Sequence, residues 1–249
     1  MKKIITILAL TISFSMNAQV STNSTSPTGI YASAMGNGTT ASGNESTAMG
    51  YDTTASGEAS TAMGYSTTAS AQSSTAMGRE TAASGTNSTA MGYVTTASAT
   101  SSTAMGAGTT ASGNYSTAMG AGTTASDYSS TVIGQYNSSG SSATSANSFS
   151  TSAPAFVIGN GTASNAKSDA FKVMFNGDAT VSNDLTVSGD VNITSDARLK
   201  TNIVSLGSTL SKLLQIDGKS YEMKGKQKIG VLAQEIQEVF PELVSEDDN

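Results

Sequence analysis

Residues 46–59 read "STAMGYDTTASGEA", and the phrase recurs with small changes along half of the chain. Met35, Met49, Met63, Met77, Met91, Met105 and Met119 each precede a glycine, and Ile133-Gly134 supplies the eighth copy at the same spacing. Two other columns are as strict: Thr39, Thr53, Thr67, Thr81, Thr95, Thr109 and Thr123, and Ala41, Ala55, Ala69, Ala83, Ala97, Ala111 and Ala125. A period of fourteen without an insertion means one structural unit stacked on itself.

Helix is a poor candidate for that unit, because frequent Gly among dense Ser and Thr lowers helix propensity throughout. Each repeat instead holds two short extended runs, such as Ser46–Met49 and Thr53–Ser56, separated by corners at Gly50 and Gly57. In an extended run Thr47 and Met49 share one face, while Ser46 and Ala48 share the other. Two strands and two tight turns make one coil of a parallel β-solenoid, and eight coils stack into a rod about 40 Å long at about 4.8 Å each. Such a coil is thin, and small cores are marginal without staples, so lateral association is the expected remedy. The Met column fills either the coil interior or an interface between chains.

The residues that vary sit at corners: Asn37-Gly38, Tyr51-Asp52, Tyr65-Ser66, Arg79-Glu80, Tyr93-Val94, Asn44-Glu45 and Asn114-Tyr115, all expected to face solvent. Asp127 stands in place of a corner Gly. The stretch Val20–Ala166 carries six charged residues, and they do not form the converging acids or bases that catalysis requires. The Tyr corners are either solvated turns or a binding surface.

The whole chain of 249 residues has no His, Cys or Trp, which excludes His-based triads, Cys nucleophiles, disulfides and the usual zinc sites. No metal and no cofactor is expected. A net charge of −6 without a basic stripe gives no reason to expect nucleic acid. The first residues, "MKKIITILALTISFSMNAQV", place Lys2 and Lys3 before an apolar run from Ile4 to Phe14, with a plausible cleavage point after Ala18. That is a secretory signal over residues 1–18, too short to span a membrane comfortably. The mature chain is expected outside the cell or on its surface, with no integral membrane segment.

Past the repeats, residues 137–154 are Ser-rich and read as a linker. From Lys167 onward charge becomes ordinary, with 22 charged residues in 83 positions. Residues 155–194 hold "AFKVMFNGDATV", two β-type runs around Asn176-Gly177, then "DLTVSGDVNIT", whose alternating Leu185, Val187, Val191 and Ile193 suggest a strand or thin shaft. Residues 195–249 read as a small α/β module. Ile203, Leu206, Leu210, Leu213 and Leu214 recur at helical spacing, Tyr221–Met223 and Ile229–Val231 suit strands, and "LAQEIQEVF" suits a helix ended by Pro241.

The repeat phrase, with "STVIG" at Ser130–Gly134, resembles the YadA-like head repeat of trimeric autotransporter adhesins, whose consensus is close to "SVAIGxxAxAxGxxS". The resemblance covers residues 30–136 and implies a left-handed parallel β-roll assembled as a homotrimer that meets an extracellular surface or matrix ligand. This chain departs at two core columns, with Thr for Val and Met for Ile. "SDARLKTNI" followed by "GVLAQEIQEVFPELV" resembles the intramolecular chaperone that ends phage endosialidase tailspikes and other tail fibres, a family of self-cleaving serine peptidases. In that family a Ser and a Lys form a dyad, and the matching residues here are Ser195 and Lys200. With no His in the chain, a Lys of lowered pKa is the remaining base for a Ser hydroxyl. The other reading of Ser195 is a helix N-cap, with Lys200 solvated.

The leading expectation is therefore a mainly β, secreted or surface-exposed, adhesin-like trimeric fibre whose terminal chaperone promotes assembly and cuts itself once at Ser195. Ranks of Thr such as Thr53-Thr54 also suit an ice-binding or other surface-templating solenoid. A phage-derived tail fibre is the third reading, and the export signal argues against it.

Overall fold

The computed structural model describes residues 22–188, 201–205, 207, 209–223 and 225–244. The expected signal, Ser195 and Lys200 lie outside the described residues. The chain divides into two compact units, residues 1–186 and 187–249.

The first unit is a parallel β-solenoid. Each coil contributes a five-residue strand, such as Thr47–Tyr51, and a two-residue strand, such as Thr54–Ala55. Pairing is parallel and in strict register, so Thr47, Ala48, Met49, Gly50 and Tyr51 face Thr61, Ala62, Met63, Gly64 and Tyr65 of the next coil. The long strands build a 12-stranded sheet and the short ones an 8-stranded sheet. Corners turn through left-handed backbone at residues such as Glu45 (φ 58°), Asp52 (φ 53°) and Ala59 (φ 52°). Gly50 adopts φ +124°, and a Cβ there would overlap the carbonyl oxygen of Gly64. The invariant glycine is therefore set by close backbone approach as well as by conformation.

The core is built from small side chains in columns. Ala48, Thr53, Ala55 and Ser60 are all fully buried, and their equivalents repeat this along the rod. Ser60 Oγ donates to the Gly57 carbonyl at 2.6 Å, closing the corner. Thr53 Oγ1 and its six column mates find no partner among the described residues. Thr47 and Met49 point the other way and are half-buried on the outer face. Met thus does not fill the coil interior, and the two columns that depart from the consensus are outer-face columns, not core.

The rod ends in a built cap. Residues 137–154, expected as a linker, fold back over the last coil. Asn137 is buried, and its side-chain amide accepts from Thr124 N and donates to Thr124 O, both at 2.8 Å. The side chain thereby replaces the backbone that a further coil would offer to the sheet edge. Gly140 O accepts from Ser126 N at 2.9 Å, and Ser145 O accepts from Tyr128 N at 2.8 Å. Asp127, which stands in place of a corner Gly, is fully buried; its Oδ1 accepts from the amides of Thr144 and Ser145 at 2.6 and 2.7 Å. Low complexity is no bar to order when Ser-rich backbone has an open sheet edge to satisfy.

The long-strand sheet continues past the cap. Pro154–Asn160 pairs in parallel with Thr131–Gln135, and the Ala column of the core swells to Val132 and then Val157. Asp169–Met174 and Ala179–Val181 add antiparallel, reversed at Asn176-Gly177, where Gly177 has φ 96°. Beyond Val181, the alternating Leu185 and Val187 belong to no strand among the described residues and are exposed.

The second unit holds a helix at Thr209–Leu213, an antiparallel pair Lys219–Met223 and Lys226–Gly230, a helix at Ala233–Val239 and a 3-10 turn at Pro241–Leu243. The first helix is shorter than its apolar spacing suggested: Ile203 and Val204 lie outside it and exposed, and Gly207 adopts φ 55° just ahead of its start.

Candidate functional site

Three surfaces carry candidate function. The first is the outer face of the long-strand sheet. Register stacks Met35, Met49, Met63, Met77, Met91, Met105 and Met119 into one unbroken, half-buried column beside a column of Thr. A flexible, polarisable apolar stripe of this length adapts readily to a packed partner. The Thr-Thr pairs that suggested flat ranks for ordering water do not form them, because Thr53 points into the core and only Thr54 points out.

The second surface is a ladder at the corner that follows the Met-Gly pair. Asn37, Tyr51, Tyr65, Arg79, Tyr93, Ala107, Ala121 and Gln135 occupy successive rungs. Tyr51 and Tyr65 stack with ring centroids 5.1 Å apart and planes 6° apart. Arg79 lies between two rings, its guanidinium carbon 5.6 Å from the Tyr65 centroid and 5.4 Å from that of Tyr93. Its Nε also bonds Glu80 Oε1 at 3.0 Å. Stacking and cation–π attraction hold these exposed side chains in one line.

The third lies in the second unit. Lys219 Nζ bridges Asp217 at 2.9 Å and Glu235 at 3.1 Å, tying the strand pair to the Ala233–Val239 helix. The hydrogen bond from Lys219 holds Asp217 below the usual carboxylate range, and the bonds to Asp217 and then Glu235 hold Lys219 above the usual ammonium range. A lysine stabilised as a cation is the opposite of a general base. Sequence reasoning missed this triad, whose signal was the short Asp217–Lys219 spacing. Phe240 is the one buried hydrophobic side chain of this unit among the described residues, with Lys212 Nζ 5.1 Å from its ring centroid. Leu210, Leu213, Leu214, Ile229 and Leu243 are exposed. Because Ser195 and Lys200 lie outside the described residues, the geometry of the expected dyad is not described. Among the described residues no helix is long and apolar enough to cross a membrane.

Comparison with known families agrees with this division. Residues 28–53, 55–81, 83–109 and 111–137 match the YadA head domain repeat, each match taking in two copies. Residues 195–245 match the chaperone of endosialidase. No curated protein matches the chain. Head repeats of this kind imply trimers and suggest a surface or extracellular location.

Proposed function

We propose that this chain, whose YadA head repeats and endosialidase-type chaperone segment make it a trimeric-autotransporter-like or phage-fibre-like protein, is an exported adhesin-like fibre. The observation that carries the reading is the order of parts: a rod of head repeats, then a chaperone segment. Three chains meet through the Met and Thr face of the long-strand sheet, which closes over the half-buried Met column. The exposed leucines of the second unit supply further apolar surface for the same association. The corners left outside present the rod to an extracellular surface or matrix ligand.

In this reading the C-terminal segment aligns the three chains and then severs them. Ser195 supplies the hydroxyl that attacks a main-chain carbonyl, and Lys200 takes up the hydroxyl proton and passes it to the departing main-chain nitrogen as the C–N bond breaks, leaving an ester on Ser195. Water then hydrolyses the resulting ester, and the event happens once per chain. Intact mass of the purified chain, beside Ser195→Ala and Lys200→Ala, tests this. Loss of roughly the last fifty-five residues in the wild type alone is expected, a length set by the position of Ser195. An uncut wild type removes the cleavage step, and a monomeric wild type in sedimentation removes the fibre.

A further inference from the structure

The aromatic ladder has a gap. Register places Ala107 and Ala121 on the rungs that follow Tyr93, and the adjoining corner residues are Gly108 and Gly122. Elsewhere in that corner column stand Gly38, Asp52, Ser66, Glu80, Val94 and Tyr136. Two consecutive coils therefore carry nothing larger than a methyl at these two positions, and the result is a notch of about 520 Å³. That lies within the roughly 300–1,000 Å³ typical of clefts for small ligands.

The notch is bounded on purposeful chemistry. Arg79 covers one face of the Tyr93 ring, and the opposite side of that rung is the gap. Tyr136 closes the other end, its ring lying over Gly122 where any Cβ would collide with it. From the rung at 93 to the rung at 121, where the Tyr136 ring lies, is about 10 Å at strand spacing, room for one saccharide ring between the ends. Thr124 and Ser164 add hydroxyls, and Lys167 adds a cation. Lys167 is set there by the turn after Asn160: Gly161 N donates to Gln135 O at 3.1 Å, and Ser168 N donates to Tyr136 O at 3.1 Å.

Charge makes the notch distinctive. Between Val20 and Ala166 the one cation is Arg79, already engaged by Glu80 and two rings. Lys167 has no ion pair among the described residues, and it also borders a polar cup of about 300 Å³ that contains Lys172, Thr180 and Ser182. The carboxylate of Asp169 in that cup is occupied by the amides of Ser138 and Ser139, each at 2.8 Å. We propose that the notch between Tyr93 and Tyr136 is a binding site for a saccharide bearing a carboxylate. The C–H face of a pyranose packs on the uncovered face of Tyr93, the ring hydroxyls meet Thr124 and Ser164, and the carboxylate pairs with Lys167. An aromatic ring with a polar tip suits a ligand that is apolar on one face and wet on the other. This names the ligand class for the fibre proposed above, and it rests on that reading for its biological setting.

The test is calorimetric titration of the full chain with oligogalacturonate, oligomannuronate and hyaluronan oligosaccharides, and with their methyl esters. At least one acid is expected to bind at millimolar Kd or tighter. Its methyl ester and the Lys167→Gln variant should each weaken binding about tenfold, an effect that shrinks with added salt. Ala107→Tyr is the decisive variant, because Tyr51, Tyr65 and Tyr93 already occupy that column without harm to the coil. It fills the notch and should abolish binding. Failure of all three acids, or undiminished binding by Ala107→Tyr, overturns the site. Sedimentation of each sample separates the two readings: a trimer that does not bind refutes the notch alone, and a monomer that binds refutes the assembly alone.

Discussion

The two units of this chain handle apolar side chains in opposite ways. In the rod, the inward Ala, Thr and Ser columns are buried from Thr39 onward, so the core is small in volume and little of it is exposed. In the second unit Leu210 is 71% exposed, Leu214 78% and Ile229 86%, while Phe240 alone is buried among its described hydrophobic side chains. The rod is a nearest-neighbour structure whose backbone hydrogen bonds and small side chains are satisfied by the coil before and the coil after. The C-terminal unit spends large apolar residues on its surface, which is costly in water unless a partner covers them. One region satisfies its core along its own axis, and the other leaves large apolar side chains open to a partner.

The comparison breaks most severely at the rod's backbone. Gly64 adopts φ +126°, and a Cβ there would overlap the carbonyl oxygen of Gly78. Gly64→Val should cost at least about 3 kcal/mol, because a branched side chain meets both a forbidden backbone region and a fixed carbonyl. Thermal melting by circular dichroism, with limited proteolysis to find a new nick near the substituted coil, checks this. Gly225, at φ 72° with open space about it, gives the matched control in the second unit, where the same change loses conformation alone and no packing.

A smaller effect of opposite sign is expected inside the coil. Thr95 is fully buried, and its Oγ1 has no hydrogen-bond partner among the described residues. Thr95→Val swaps an unsatisfied hydroxyl for a methyl of the same shape, and should stabilise the rod by about 1 kcal/mol or more. Denaturant unfolding measures the gain, and a loss would show that the hydroxyl ladder is bonded after all. Leu210→Ser with Leu214→Ser should move chain stability by less than about 0.5 kcal/mol, since both sites are already wet. Sedimentation equilibrium should nonetheless find weaker association, if these leucines are held for partner chains.

How far these properties could be read from the sequence follows the same division. Period, strand faces and corner glycines were legible around the rod, because each column is repeated and each repeat votes again. Alternation alone put Ser46 and Ala48 on one face and Thr47 and Met49 on the other, but which face turns inward was settled by burial in the coil and not by spacing. The cap was not legible: Asn137 and Asp127 act once, through contacts with residues that a Ser-rich stretch does not announce. The short first helix of the second unit was also misread, since exposed leucines at helical spacing mimic a buried face. Ser195 and Lys200 were drawn from family resemblance, and a dyad is a matter of distance that spacing in a chain does not supply.

The mildest test concerns the ion triad that joins the strand pair to the Ala233–Val239 helix. Asp217 is held below its ordinary 3.8, so its contribution is present above that value and fades as acid protonates it. Lys219 is held above its ordinary 10.5, so its contribution is full below that value and fades as the solution becomes more basic. Stability of this unit should therefore be flat from about pH 4 to pH 10 with respect to this triad and fall at both ends. Lys219→Gln should flatten both edges and lower the mid-range slightly, as expected for charges exposed to solvent. Salt screens exposed pairs, so at 1 M sodium chloride wild type and variant should converge. Amide exchange across Lys219–Met223 and Ala233–Val239, which the triad joins, is the measurement. Equal exchange in wild type and variant at low salt would mean that the strand pair and helix are held by Phe240 and backbone bonds, and that the exposed ions follow the fold without supporting it.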